Sequence, residues 1–163
     1  MTSCANRSGA GAGVPRRRAA FTLVETMVVL AIMLGLAAMA YPSYRSYIVK
    51  ARRVEAQAAL LNTMQDQERY YTLHNTYLPF SAASTGEDEK RFRWWLGASA
   101  PASAYELSGH ACGALPLQAC IELRAEPGTA RVNPGFRDPE CATLTLKSTG
   151  QTASSGPAQR CWP

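Results

Sequence analysis

Motifs that carry chemistry are scarce in this chain. It has two histidines, His74 and His110, and neither falls in a recognisable nucleophile motif, so a histidine base has nothing to activate. There is no phosphate-binding loop and no Gly-x-Gly-x-x-Gly, which removes the sequence support for nucleotide chemistry. No close Cys-x-x-Cys pair exists either, and His110 near Cys112 does not by itself make a zinc set. The expectation is therefore a protein that is not an enzyme and carries no cofactor and no metal. Acids are missing from residues 1–20, which hold Arg7, Arg16, Arg17 and Arg18. Without those four, 13 basic residues face 12 acidic ones, so the formal charge of +5 does not mark a basic face over the whole molecule.

What is present begins at the N-terminus. Phe21–Tyr41 is an almost unbroken apolar run of 21 residues, preceded by Arg16, Arg17 and Arg18. As a helix it would span about 31 Å, enough for a bilayer core of about 30 Å, with the arginines held on the cytoplasmic side. Glu25 interrupts the run near its start, where an ionised carboxylate costs less than at the bilayer centre but still wants a partner. A secretory signal peptide with a small-x-small site at Ala38-Met39-Ala40 is one reading, and a twin-arginine signal is a second. The third is a cut on the cytoplasmic side of the run that leaves the helix on the mature protein.

The residues after Pro42 separate these readings. Tyr44, Tyr47/Ile48, Ala51, Val54, Ala58, Leu61, Met64 and Tyr71 recur at steps of three and four, one stripe down a helix. Positions 51–69 are rich in good helix formers and hold no Gly or Pro, and Arg52 with Glu55 suggests an exposed, charge-laced face. Span and stripe thus read as one helix of about 50 residues, bent or locally melted at Pro42. A removable signal would have no reason to run into such a helix, so retention is favoured. Arg45, Lys50, Arg52 and Arg53 read as a solvated or headgroup-facing collar, and nucleic acid is not an expected partner.

Further on, Tyr105–Ser108, Ile121–Arg124 and Leu144–Lys147 alternate apolar with polar residues, as antiparallel strands with one buried face do. The stripe of residues 44–71 is expected to cover that face. Pro79 and the run Glu87–Arg93 mark a loop between helix and sheet, and Ala153–Gly156 reads as another loop. At least one of Trp94 and Trp95 is expected to plug the core, the other reading being a subunit contact. Cys112, Cys120, Cys141 and Cys161 point to disulfides in an oxidising compartment, with three pairings open. Cys112–Cys120 would close a short hairpin-like loop, and Cys141–Cys161 would tie the tail to the last clear strand.

Phe21-Thr22-Leu23-Val24-Glu25, the apolar run and Pro42 resemble the N-terminus of type IV pilins and type II secretion pseudopilins. Val54–Leu61, Gln67–Tyr71, Asn75-Thr76-Tyr77, and Asp138–Gly150 closing on Cys161-Trp162 are similar to minor pilins of the PilE type. The resemblance implies an α+β type IV pilin fold: a long N-terminal helix, its apolar half in the membrane, packed on a C-terminal antiparallel sheet. It implies a leader over 1–20, a helix over 21–75 and a head over 76–163, made of an αβ-loop and a disulfide-tied sheet. It also implies a prepilin peptidase cut between Ala20 and Phe21, N-methylation of Phe21, and pairing of Glu25 with a neighbouring N-terminal amine. Ala20 departs from the family's Gly before the cut. A start at Val14 would leave a seven-residue leader, VPRRRAA, and Cys4 would lie in a discarded segment. The Cys141–Cys161 pairing matches the family's C-terminal loop.

The function so implied is a minor structural subunit of a type IV pilus, with adhesion, motility or DNA uptake as open roles. Its partners would be other pilin subunits in a helical filament, prepilin peptidase, the inner-membrane assembly machinery and the membrane itself. The head would be periplasmic before assembly and at the cell surface afterwards. A type II secretion pseudopilin and a secreted periplasmic binding protein are the alternatives.

Overall fold

The computed structural model describes residues 22–163; Ala20 and Phe21, with the expected cleavage and methylation site, lie outside the described residues. The chain divides into two units, one up to Tyr41 and one from Pro42 onward. Helix α1 is Leu23–His74, and Pro42 lies within it, so the backbone does not melt there. It starts where Thr22 Oγ1 accepts the N–H of Glu25, 3.2 Å away, supplying one of the acceptors that the first turn lacks. It stops at Asn75, whose φ of 54° is left-handed and whose N–H closes on the Tyr71 carbonyl at 2.8 Å. Asparagine tolerates that conformation better than most residues, so it ends the helix where no glycine is available.

In the second unit four strands form an antiparallel meander in the order β1 (Tyr105–Ala111), β2 (Ile121–Pro127), β3 (Leu144–Lys147), β4 (Thr152–Ser154). Tyr105, Leu107, Ile121, Leu123, Ala125, Leu144 and Leu146 point to one buried face, while Glu122, Arg124 and Thr145 alternate onto the other. Strand β4 is a departure from the sequence reading, which made Ala153–Gly156 a loop. Its three residues are small or polar with no buried member, so no apolar alternation announces it. Its register comes from pairing with β3, Thr145 opposite Ala153.

The outer edge of β1 is covered by two isolated bridges from the long loop, Phe80 to Gly109 and Trp95 to Glu106. Gly109 permits the first, because a Cβ there would lie 2.8 Å from the Phe80 ring. Within that loop Glu89–Arg91 and Ala100–Ala102 form single 3-10 turns. Trp94 packs half-buried against the core, as expected of one of the pair, and meets Trp95 edge to face at 5.0 Å.

The helix face that covers the sheet is not the one its apolar spacing selects. Arg53, Ala56, Leu60 and Gln67 are buried, with Ala59, Met64, Tyr70 and Tyr71 packed beside them. Tyr44, Tyr47, Ala51, Val54, Ala58 and Leu61 are exposed instead, so of the expected stripe Met64 and Tyr71 alone reach the core. The reason is that Arg53 and Gln67, both polar, occupy core positions and conceal the buried face from a hydrophobicity count.

Candidate functional site: a bare apolar helix and a clamped C-terminal loop

Two arrangements stand out, one in each unit. In the first, every described side chain from residue 22 to 39 is exposed, including Leu23, Val24, Met27, Leu30, Met33, Leu34 and Met39. A soluble helix hides such side chains, whereas this one leaves a surface that only lipid or other helices would cover. The stretch is long and apolar enough to cross a membrane. Its one acid, Glu25, is exposed in the first helical turn, where the macrodipole favours negative charge. Thr22 and Glu25 have the T-x-x-E spacing of a capping box, a signal present in the sequence and missed in its reading. Helix capping and pairing with an incoming amine are compatible, because a carboxylate has two oxygens and several acceptor sites.

In the second unit a buried charge network ties α1 to the segment that follows β2. Arg53 donates from Nε and Nη2 to the two oxygens of Asp138 at 2.8 and 2.7 Å, and from Nη2 to Glu140 at 2.9 Å. Tyr105 Oη donates to Asp138 at 2.7 Å, and the Cys141 N–H adds a further bond at 3.1 Å. Burial pushes the Asp138 carboxyl up, but Arg53, Tyr105 and the Cys141 N–H outweigh it and hold the group below the usual carboxylate range. Burial pushes the Tyr105 phenol up, reinforced by Asp138, and Asp138 in turn raises Arg53. Arg53 is thus an internal strut and no part of the solvated collar in which its sequence neighbours placed it.

The four candidate cysteines pair as Cys112–Cys120 and Cys141–Cys161, each with Cα atoms about 5.5 Å apart. The second bridge closes a loop that carries β3 and β4. Gln57 Nε2 reaches from α1 to the Cys161 carbonyl at 2.5 Å, and Trp162 Nε1 donates to the Ala153 carbonyl of β4 at 2.8 Å. Higher on the helix, buried Gln67 clamps Leu78 through both its amide ends, at 2.7 and 3.0 Å. This side of the molecule is a fastening of loop to helix, and its polar groups are spent on one another. The clamp residues Arg53, Asp138 and Tyr105 were not singled out as a set in the sequence, because nothing in their spacing joins positions 85 residues apart.

Comparison with known proteins fits both halves. Residues 15–41 match the prokaryotic N-terminal methylation motif. Residues 42–145 match the family described as type IV minor pilin ComP, DNA uptake sequence receptor. No curated protein matches the chain. Among solved structures, a type IV pilin from Shewanella oneidensis is 26% identical over 71% of this chain and 98% of its own, with a TM-score of 0.44. The non-core minor pilin PilV of Neisseria meningitidis is 23% identical over 71% of this chain and 95% of its own, with a TM-score of 0.47. The family match alone takes in more than half of the residues, and the chain belongs to the type IV minor pilins of the ComP family.

Proposed function

We propose that this minor pilin is a non-catalytic subunit, stored in the inner membrane with its head outside and then drawn into a pilus by helix packing. The observation that carries the reading is the bare apolar stretch of residues 22–39 with a single acid three residues from its described start. In a bundle of such helices an ionised carboxylate is tolerable only beside an opposite charge, and the N-terminal amine of a neighbour cut before Phe21 would supply it. Glu25 then sets the register of one subunit against the next. The partners on this reading are other pilins, prepilin peptidase and the inner-membrane assembly machinery.

The test is Glu25→Ala, followed through membrane and sheared-filament fractions. Membrane insertion is expected to persist while incorporation into filaments falls; normal incorporation removes the register role. Mass spectrometry of the mature N-terminus is expected to find methylated Phe21, whereas a peptide starting at Tyr41 would mean ordinary signal-peptide cleavage. Lost secretion with intact pili, on deletion of the gene, would point to a pseudopilin.

A second reading comes from the description of the matched family, a DNA uptake sequence receptor. The charge arrangement weighs against it only in part: among the described residues, Arg52, Arg53, Arg69, Lys90, Arg91, Arg124, Arg131 and Lys147 each face a carboxylate within 4.0 Å, whereas Lys50, Arg93, Arg137 and Arg160 do not. Phosphates would have to compete with those acids. The structural-subunit role is therefore favoured, and a salt-sensitive gel shift of duplex DNA by the protein would reverse that preference.

A further inference from the structure

The six exposed apolar residues on the outer face of α1 have a spacing of their own. Tyr44, Ala51 and Ala58 recur every seven residues, and so do Tyr47, Val54 and Leu61, in alternating steps of three and four. Those are the a and d positions of a heptad, the seam by which two helices pack side by side. The side chains are open: Tyr44 is 65% exposed, Tyr47 66%, Val54 60% and Leu61 50%. The opposite face is already occupied, since Arg53, Ala56, Leu60 and Gln67 meet the sheet. Gln65 and Glu68 take the next a and d places, so the seam ends after about 26 Å of helix.

We propose that this seam docks a second copy of the chain, with the two helices parallel and in register. The proposal rests on the membrane-anchored reading above, because two copies held in one membrane by the same end point the same way at equal height. The flanking residues select that arrangement. In a parallel pair, the g position of one helix faces the e position five residues further on in the other. Lys50 occupies g and Glu55 occupies e, so each Lys50 meets Glu55 of the second copy, twice by symmetry. A slip of one heptad would oppose Lys50 to Asn62 or Ile48 and lose that match. Glu55 is part-exposed beside Gly97, and its bond to Arg52 is a surface pair that it can exchange for the new partner. Alanine at two of the three a positions lets the backbones approach closely between the larger d residues.

The experiment is thiol cross-linking of the full chain in its own membrane with a short bismaleimide. Ala51→Cys places a thiol on the seam, and Asp66→Cys places one on the same helix away from it. A cross-linked dimer is expected for Ala51→Cys and not for Asp66→Cys. Adding Lys50→Glu to Ala51→Cys is expected to lower the dimer yield roughly threefold, and adding Glu55→Lys as well to restore it. No dimer at Ala51→Cys, equal dimer at both positions, or a cross-link to a different protein overturns the proposal. A yield unmoved by Lys50→Glu overturns the register. Failure of the membrane-anchored reading shows separately, as soluble protein on fractionation, whereas failure of the seam leaves anchored protein without the dimer.

Discussion

Asp138 concentrates more of the head's polar bonding than any other described side chain, and its variants should be the most informative. Arg53→Ala removes one side of a buried ion pair and leaves a carboxylate facing the core, a change that typically costs about 3–5 kcal/mol. Urea unfolding of the two proteins would measure it. The pH dependence has a definite sign. Because the folded-state Asp138 carboxyl lies below its ordinary value, its contribution is complete above the unfolded value near ~3.9 and is lost as pH falls through the folded one. A melting series from neutral to strongly acidic pH should therefore fall for the native chain, and Asp138→Asn should start lower and fall less. Gly156 is a second sensitive position, since a Cβ there would sit 2.3 Å from the Glu140 carbonyl oxygen and 2.7 Å from Cys141 Cα. Gly156→Ala must displace the tail from that backbone, and slower disulfide formation in a refolding assay is the expected result.

Among the elements, α1 shows where sequence reasoning succeeds and where it misleads. Its existence was legible from the propensities of residues 51–69, and its end near residue 75 from the resemblance to pilins. Its orientation was not, because two polar residues, Arg53 and Gln67, sit on the buried face and an apolar seam sits on the exposed one. Adjacent leucines separate the two faces experimentally. Leu60 is 1% exposed, so Leu60→Ala should cost about 2–5 kcal/mol in unfolding free energy. Leu61→Ala, on the open seam, should stay within about 0.5 kcal/mol in monomeric protein. The strands repeat the lesson. Those with alternating side chains, β1, β2 and β3, could be read directly, while β4 is a strand by virtue of its neighbour and its own residues carry no sign of it.

At the scale of the molecule, the α+β class, the long helix and the presence of disulfides were legible in the chain, since each leaves a local signature, while the choice among three cysteine pairings was open. The buried network was not legible, because Arg53 and Asp138 meet across 85 residues and no local pattern relates them. The Cys141–Cys161 bridge encloses the last two strands at a separation of 20 residues, so its removal is expected to cost roughly 3 kcal/mol in the chain-entropy account. A Cys141→Ser/Cys161→Ser variant compared with the native protein by thermal melting would check that figure, and its tail should become susceptible to protease first.

The clamp also dictates an order of events during biogenesis. Arg53 leaves the ribosome early, yet the carboxylate that makes its burial tolerable follows 85 residues later, and Gln57 must wait 104 residues for the Cys161 carbonyl. Contacts so distant along the chain close late, after most of the loop entropy has been lost. The head therefore cannot mature piece by piece as the chain is made. Its helix stays incompletely covered until Cys161 is in reach, and the closing of that last contact commits the domain to its native packing.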